Sequence, residues 1–333
     1  MLFDLSANTS ARKLMILDAN YPKDVSKTVI KGNTTSATFE VRIAEDGKPA
    51  EYTYQWYVND KVVSGATGAS YTMSDLYETA TYKIFCKVTN KKGTVTSRTA
   101  TLKVTQYYTP TLNGSYPENA SVTVHDSVTL SAVISTHGNP KDYTYQWYKN
   151  GSAISGATGS TYTYTTSGVG SATFYCKVKN TAGTVTTRTA TVTANALYLF
   201  KNGDECAGVT GGWGWVTIPG YWLDTSNASK SGGALNAFTS RENQTAAYAQ
   251  TNSPVDFTRF NTLTIVVSSV VHEAEIGFED ASGNEISNLG ITRAGTYPFD
   301  VSAVRQRCKV YAGYANDIED YYFGCSVTQI YLT

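Results

Sequence analysis

The 333-residue chain is poor in the residues that build metal centres, disulfide scaffolds and strongly charged interfaces. It has five cysteines and three histidines, and no two cysteines form a CxxC pair. An odd count leaves no complete pairing within one chain, and zinc-ligand spacing is missing. Cys86, Cys176, Cys206, Cys308 and Cys325 therefore read as reduced, mostly buried thiols. In an oxidising medium Cys206, Cys308 and Cys325 allow one disulfide, with no pair favoured. Charged residues are 16% of the chain, 27 basic against 27 acidic and without a long run of either sign, which argues against a dedicated nucleic-acid partner. No apolar run approaches the roughly 18 to 20 residues needed to cross a bilayer, so no membrane partner is expected. The opening MLFDLSANTSARKLMILD lacks the apolar core of a secretory signal, and synthesis in a cytoplasm is the expectation. Methionine is scarce at three residues, whereas tyrosine (25) and glycine (27) are abundant. That is the composition of strands and turns, and it predicts an all-β chain.

Internal repetition sets the architecture. YTYQWYVNDKVVSGATGASYT, from Tyr52, recurs as YTYQWYKNGSAISGATGSTYT, from Tyr143, and CKVTNKKGTVTSRTATLKV, from Cys86, recurs as CKVKNTAGTVTTRTATVTA, from Cys176. Within each copy the period is two: Tyr54 and Trp56 share a face, as do Ile84, Cys86 and Val88. Phe39, Val41 and Ile43 alternate in the same way as Leu130, Ala132 and Ile134. Asn59-Asp60 and Asn150-Gly151 sit where a two-residue hairpin needs positive φ. The repeated tyrosines of YTYQWY, with Tyr71 and Tyr162, read as strand formers, an exposed binding face on the two repeats being the alternative. Residues 1–195 carry 19 basic and 13 acidic side chains and 196–333 carry 8 and 14, so the balance moves from +6 to −6. The expected division is 1–20, a docking arm or first strand; 21–105 and 106–195, two repeated sandwiches; and 196–333, a different and larger one.

Each repeat resembles the immunoglobulin-like fold, with a tryptophan on the third strand and a cysteine about thirty residues later on the sixth. The family's other cysteine, expected near Val41 and near Ala132, is missing from both copies. Its tyrosine corner is missing too, because Ile84 and Phe174 stand two residues before the cysteine. Cys86 and Cys176 are therefore expected in the core beside Trp56 and Trp147. A lost bridge typically costs about 2 to 5 kcal/mol, so packing alone must hold these domains. The short linkers favour a stiff rod.

Residues 196–333 alternate through Leu263, Ile265 and Val267 and through Ile276 and Phe278, and Asp280 to Gly283 is a hairpin turn. The layout resembles a jelly-roll β-sandwich of the galactose-binding-like, carbohydrate-binding type. Sugars stack their C–H faces on aromatic rings, which makes Trp215, Tyr221, Trp222, Tyr314 and Tyr321 the candidate sugar contacts, while Trp213 reads as core. Asp317, Glu319 and Asp320 are weak calcium ligands in pattern, a solvated acidic loop being the simpler reading; a structural calcium ion is the one cofactor the resemblance allows. Glycoside hydrolysis would need two carboxylates across a cleft. Glu273 with Glu275, Glu279 with Asp280, and Asp317 with Glu319 or Asp320 are the available pairs. The last two sets lie in turns where acids meet water, and no nucleophile has a nearby histidine, so no catalytic residue is expected.

Disulfide-free tandem immunoglobulin-like repeats with SGATG turns, ahead of a sugar-binder-like sandwich, resemble accessory tail or surface proteins of bacteriophages and prophages. The resemblance implies a non-catalytic virion protein, a spacer rod that presents a glycan-binding domain to the host cell surface. It also implies other virion proteins as partners, with a homo-oligomer or many copies per particle. The alternatives are a bacterial adhesin or wall-binding module at the cell surface, a glycan depolymerase, and the reversed polarity in which the C-terminal domain docks on the particle and the repeats face outward.

Overall fold

A computed structural model describes residues 13–202, 204–206, 213–217, 228–231, 234–238, 247–313 and 324–333. Among them all regular structure is β-strand. In the first repeat one sheet runs Val25–Ile30, Ala100–Tyr107, Ala80–Asn90, Thr53–Val58 and Lys61–Val62, with Gly93–Thr96 also on Ala80–Asn90. Val25–Ile30 lies parallel to Ala100–Tyr107, and the other pairings are antiparallel. Thr35–Glu40 pairs with Ser70–Leu76 across the core, and Ile16–Leu17 pairs with Ile43–Glu45. Ile16 and Leu17 are thus a strand of the first sandwich, and Met15 is buried in its core. The second repeat reproduces this plan strand for strand, from Thr111–Leu112 to Ala190–Asn195.

The alternating side chains fix the register. Trp56 lies directly opposite Cys86, and Trp147 opposite Cys176, and all four are fully buried. Each indole N–H donates to a carbonyl of the SGATG turn, Trp56 to Gly68 at 2.9 Å and Trp147 to Gly159 at 3.0 Å. The turn is held from a second side by Gln55 and Gln146, whose amides donate to Val63 and Ile154 at 2.7 Å. Gly65 and Gly156, at φ +76° and +73°, supply a backbone conformation that side chains with a Cβ rarely adopt. Burial raises the Cys86 and Cys176 thiols to about 11, which keeps them protonated and inert. All five cysteines are free.

The third unit is a two-sheet sandwich. One sheet runs Asp204–Glu205, Leu197–Lys201, Gly324–Leu332, Ala234–Phe238 and Ala228–Ser231, extended by Thr262–Val271 and Gly295–Asp300. The other runs Trp213–Thr217, Ala247–Thr251, Arg307–Gly313, Ala274–Asp280 and Glu285–Ile291, with Val255–Asp256 on Arg307–Gly313. Phe257, Phe260, Phe278, Ile265 and Ile276 fill the space between them, joined by Trp213 and by the thiols of Cys308 and Cys325.

The repeats differ at one clamp. In the first, the Asp24 carboxylate accepts the Thr101 N–H at 2.8 Å and pairs with Arg98; in the second, Asn119 accepts the Thr191 N–H at 2.9 Å beside Arg188. The Thr101 hydrogen bond, helped by Arg98, holds the Asp24 carboxyl below its ordinary value. A depressed folded-state pKa contributes stability above the unfolded value of about 3.9, and this is lost as pH falls through the folded value. Asp24→Asn copies the second repeat. The variant is expected to lose less melting temperature than the unmodified chain between pH 6 and pH 2 in calorimetric scans, and an equal loss contradicts the clamp.

Candidate functional site

Of the candidate sugar contacts, Tyr221, Trp222, Tyr314 and Tyr321 lie outside the described residues, as do Asp317, Glu319 and Asp320. Trp215 is placed by its backbone alone, paired with Ala249 in the Trp213–Thr217 strand. Trp213 is core: it is 5% exposed, and its indole N–H donates to the Leu199 carbonyl at 3.1 Å. Among the described residues no three His, Cys, Asp or Glu side chains converge as a metal site.

The acids expected simply to meet water are used differently. Asp280 organises its own turn, accepting from the Ser282 and Asn284 backbone N–H groups and from the Asn284 amide. The Asn284 bond, followed by the backbone bonds, holds its carboxyl below the usual range. Glu279 accepts the Gln250 amide at 2.7 Å, and Asn288 donates to Glu285 at 2.8 Å and to Glu275 at 3.4 Å. Burial, reinforced by the neighbouring Glu285 and Glu273, raises the Glu275 carboxyl. Tyr311 lies on this outward face yet is only 7% exposed, its hydroxyl 3.5 Å from Glu285. A Cβ on Gly277 would come within 3.0 Å of that hydroxyl and 2.3 Å of the Ser287 carbonyl, so the ring settles where glycine leaves room. Alternation along the sequence cannot show this cover, because it comes from residues distant in the chain.

The joints between units are geometrically defined. Where the chain enters the second repeat, Tyr108 and Asn139 exchange backbone hydrogen bonds of 2.8 and 2.9 Å, as Lys13 and Lys48 do in the first. The Asn139 amide donates to the Gln106 carbonyl at 2.7 Å and the Asn180 amide to the Tyr108 carbonyl at 2.9 Å, which leaves no free linker. Between the second repeat and the third unit, Val124 is buried within the third unit's hydrophobic core. His125 meets Phe260 edge to face at 6.0 Å, Asp126 pairs with Arg259, and the Arg259 guanidinium lies 5.2 Å over the Phe260 ring. Sequence reading missed this seam, since its residues belong to no shared period.

Two of the repeated tyrosines answer to the alternative of an exposed face. Tyr57 and Tyr148, the last of each YTYQWY, stand on the outer face in matching aromatic stacks.

The sequence family described as Immunoglobulin domain matches residues 109–194. Over 187 residues the chain is 29% identical to the Highly immunogenic outer capsid protein of Enterobacteria phage T4, covering 52% of this chain and 47% of that protein. The chain thus spans about half the length of the curated relative it matches. Among solved structures, a variant of three immunoglobulin domains of titin aligns over 94% of this chain and 97% of its own at 13% identity and a TM-score of 0.42. A titin I-band fragment aligns over 72% and 92% at 14% identity and a TM-score of 0.40. The chain is an all-β protein with several immunoglobulin-like sandwiches.

Phe260 serves both the third core and the seam, whereas the Asp126–Arg259 pair is part-exposed. Phe260→Ala is expected to destabilise the third unit by about 3 to 5 kcal/mol. Arg259→Ala should cost under about 1 kcal/mol while loosening the joint. Denaturant melts with residual dipolar couplings across the seam check both; couplings unchanged in Arg259→Ala contradict a part for the Asp126–Arg259 pair in holding the joint.

Proposed function

We propose that this chain is a non-catalytic decoration of the outer surface of a phage capsid, a spacer whose third sandwich contacts sugars of the host cell surface. The observation that carries the reading is the similarity to a protein whose name places it on the outer capsid. It favours a capsid position over a tail position, between which the resemblance of the repeats did not choose. The tied joints support the role of spacer, because a rod transmits position only when its links do not swing. The sugar contact is assigned to a jelly-roll-like third unit through Trp215, Tyr221, Trp222, Tyr314 and Tyr321. Single contacts of this kind are weak, and many copies on one particle turn them into useful adhesion. Other virion proteins hold the opposite end.

One observation favours the reversed polarity. The repeats carry the +6 balance and the third unit the −6 balance, so an anionic cell envelope attracts the repeats and not the third unit.

Adsorption of the full chain to host cells, followed beside its retention on purified capsids, separates the two. Trp222→Ala combined with Tyr321→Ala is expected to lower cell adsorption about tenfold or more, with capsid retention and melting temperature unchanged. Loss of capsid retention instead identifies the reversed polarity, undiminished adsorption contradicts the sugar assignment, and release of reducing ends from wall polysaccharide contradicts a non-catalytic role.

A further inference from the structure

The outer face of each repeat's larger sheet carries the same three-part arrangement. In the first, Tyr57 and Phe85 stack at 4.7 Å and 4° across neighbouring strands, with the Lys87 ammonium 5.0 Å over the Tyr57 ring. In the second, Tyr148 and Tyr175 stack at 4.7 Å and 5°, with Lys177 4.9 Å over Tyr148. The four rings are half-buried and both lysines are exposed. The core explains none of this, since these positions alternate with the inward Trp56, Cys86, Trp147 and Cys176.

The chemistry of the face is one-sided. The strands Thr53–Val58, Ala80–Asn90, Thr144–Lys149 and Gly170–Asn180 contain no aspartate or glutamate, while Lys87, Lys177 and Lys179 point outward; Lys83, further along, donates to Thr101 near Asp24. Among the described residues neither Lys87 nor Lys177 forms an ion pair, although Lys13, Arg42, Lys91, Arg98 and Arg259 do. Across the neighbouring strands Gln55 and Thr96 stand opposite Lys87, and Gln146 and Thr186 opposite Lys177. An ammonium set over an aromatic ring is held in place with its charge uncancelled.

We propose that these two faces bind an anionic polysaccharide, with Lys87 and Lys177 engaging its acidic groups and the surrounding hydroxyls its sugar hydroxyls. Charge complementarity selects a polyanion. Single-stranded nucleic acid binds by stacking bases on open ring faces, but the rings of Tyr57 and Tyr148 are already taken up by their own neighbours. An acidic protein would need a broad apolar centre to bury, whereas each face offers a single ring pair already packed against its own lysine. A hydrated, hydroxyl-rich polyanion suits a face of lysine, threonine and glutamine. Two copies of the face on one chain add avidity along a polymer with repeating charges. The site stands apart from the aromatic contacts assigned to the third unit and does not depend on them.

The full chain is passed over alginate beads, with neutral dextran beads and single-stranded DNA cellulose alongside. Retention on alginate that weakens with added salt is expected, with little on dextran or DNA. Lys87→Gln with Lys177→Gln should weaken it about tenfold or more, each single substitution less, and the melting temperature should stay the same. Lys87→Arg with Lys177→Arg should restore retention, and Lys309→Gln, on the Arg307–Gly313 strand of the third unit, should leave it unchanged. Undiminished retention of the double glutamine variant, equal retention on dextran, or tighter retention on DNA would each overturn the assignment.

Discussion

The hydrogen bond from each buried indole to its glycine turn is the constraint on which the repeats depend. Trp56 and Trp147 are fully buried, and their N–H groups need acceptors inside the protein. Gly68 and Gly159 provide them, twelve residues further on in both copies. A buried polar group left without its partner costs about 1 to 3 kcal/mol, so the turn and the tryptophan must be placed together or not at all. This links the central strand to the loop that follows it, and the glutamine beside each tryptophan ties the same loop again. A sandwich with no disulfide thereby gains a local, polar fastening in the middle of its core.

Much of this was legible in the sequence. The period of two around Trp56 and Cys86, the hairpin residues Asn59 and Asn150 with their positive φ, and the near-identity of the two copies all follow from steric and burial rules acting on neighbouring residues. Where distant segments meet, those rules give no warning. The parallel pairing of Val25–Ile30 with Ala100–Tyr107, the Asn90 and Asn180 amides that fasten the incoming chain, and the seam of Val124, His125 and Phe260 depend on separations of tens of residues. The lysine-capped stacks were hidden for another reason. Outward tyrosines and lysines are ordinary on strands, and their meaning emerges only when cross-strand register brings Tyr57 to Phe85 and Tyr148 to Tyr175.

These features bear on the proposed role of spacer. Contacts fasten the second repeat on both sides, as a spacer would require, and the charge balance changes along the chain. The proposed adhesion, built from many weak contacts, needs no activated nucleophile. Asp280, committed to its own turn, and Glu279, committed to Gln250, are acids used as structure.

Cryo-electron microscopy of capsids lacking any such decoration, incubated with the full chain, tests the central claim most directly. The account predicts regular density at repeating sites of the outer shell, one end of the chain anchored and the other projecting outward. Capsids that stay bare, or density confined to the tail, would contradict it.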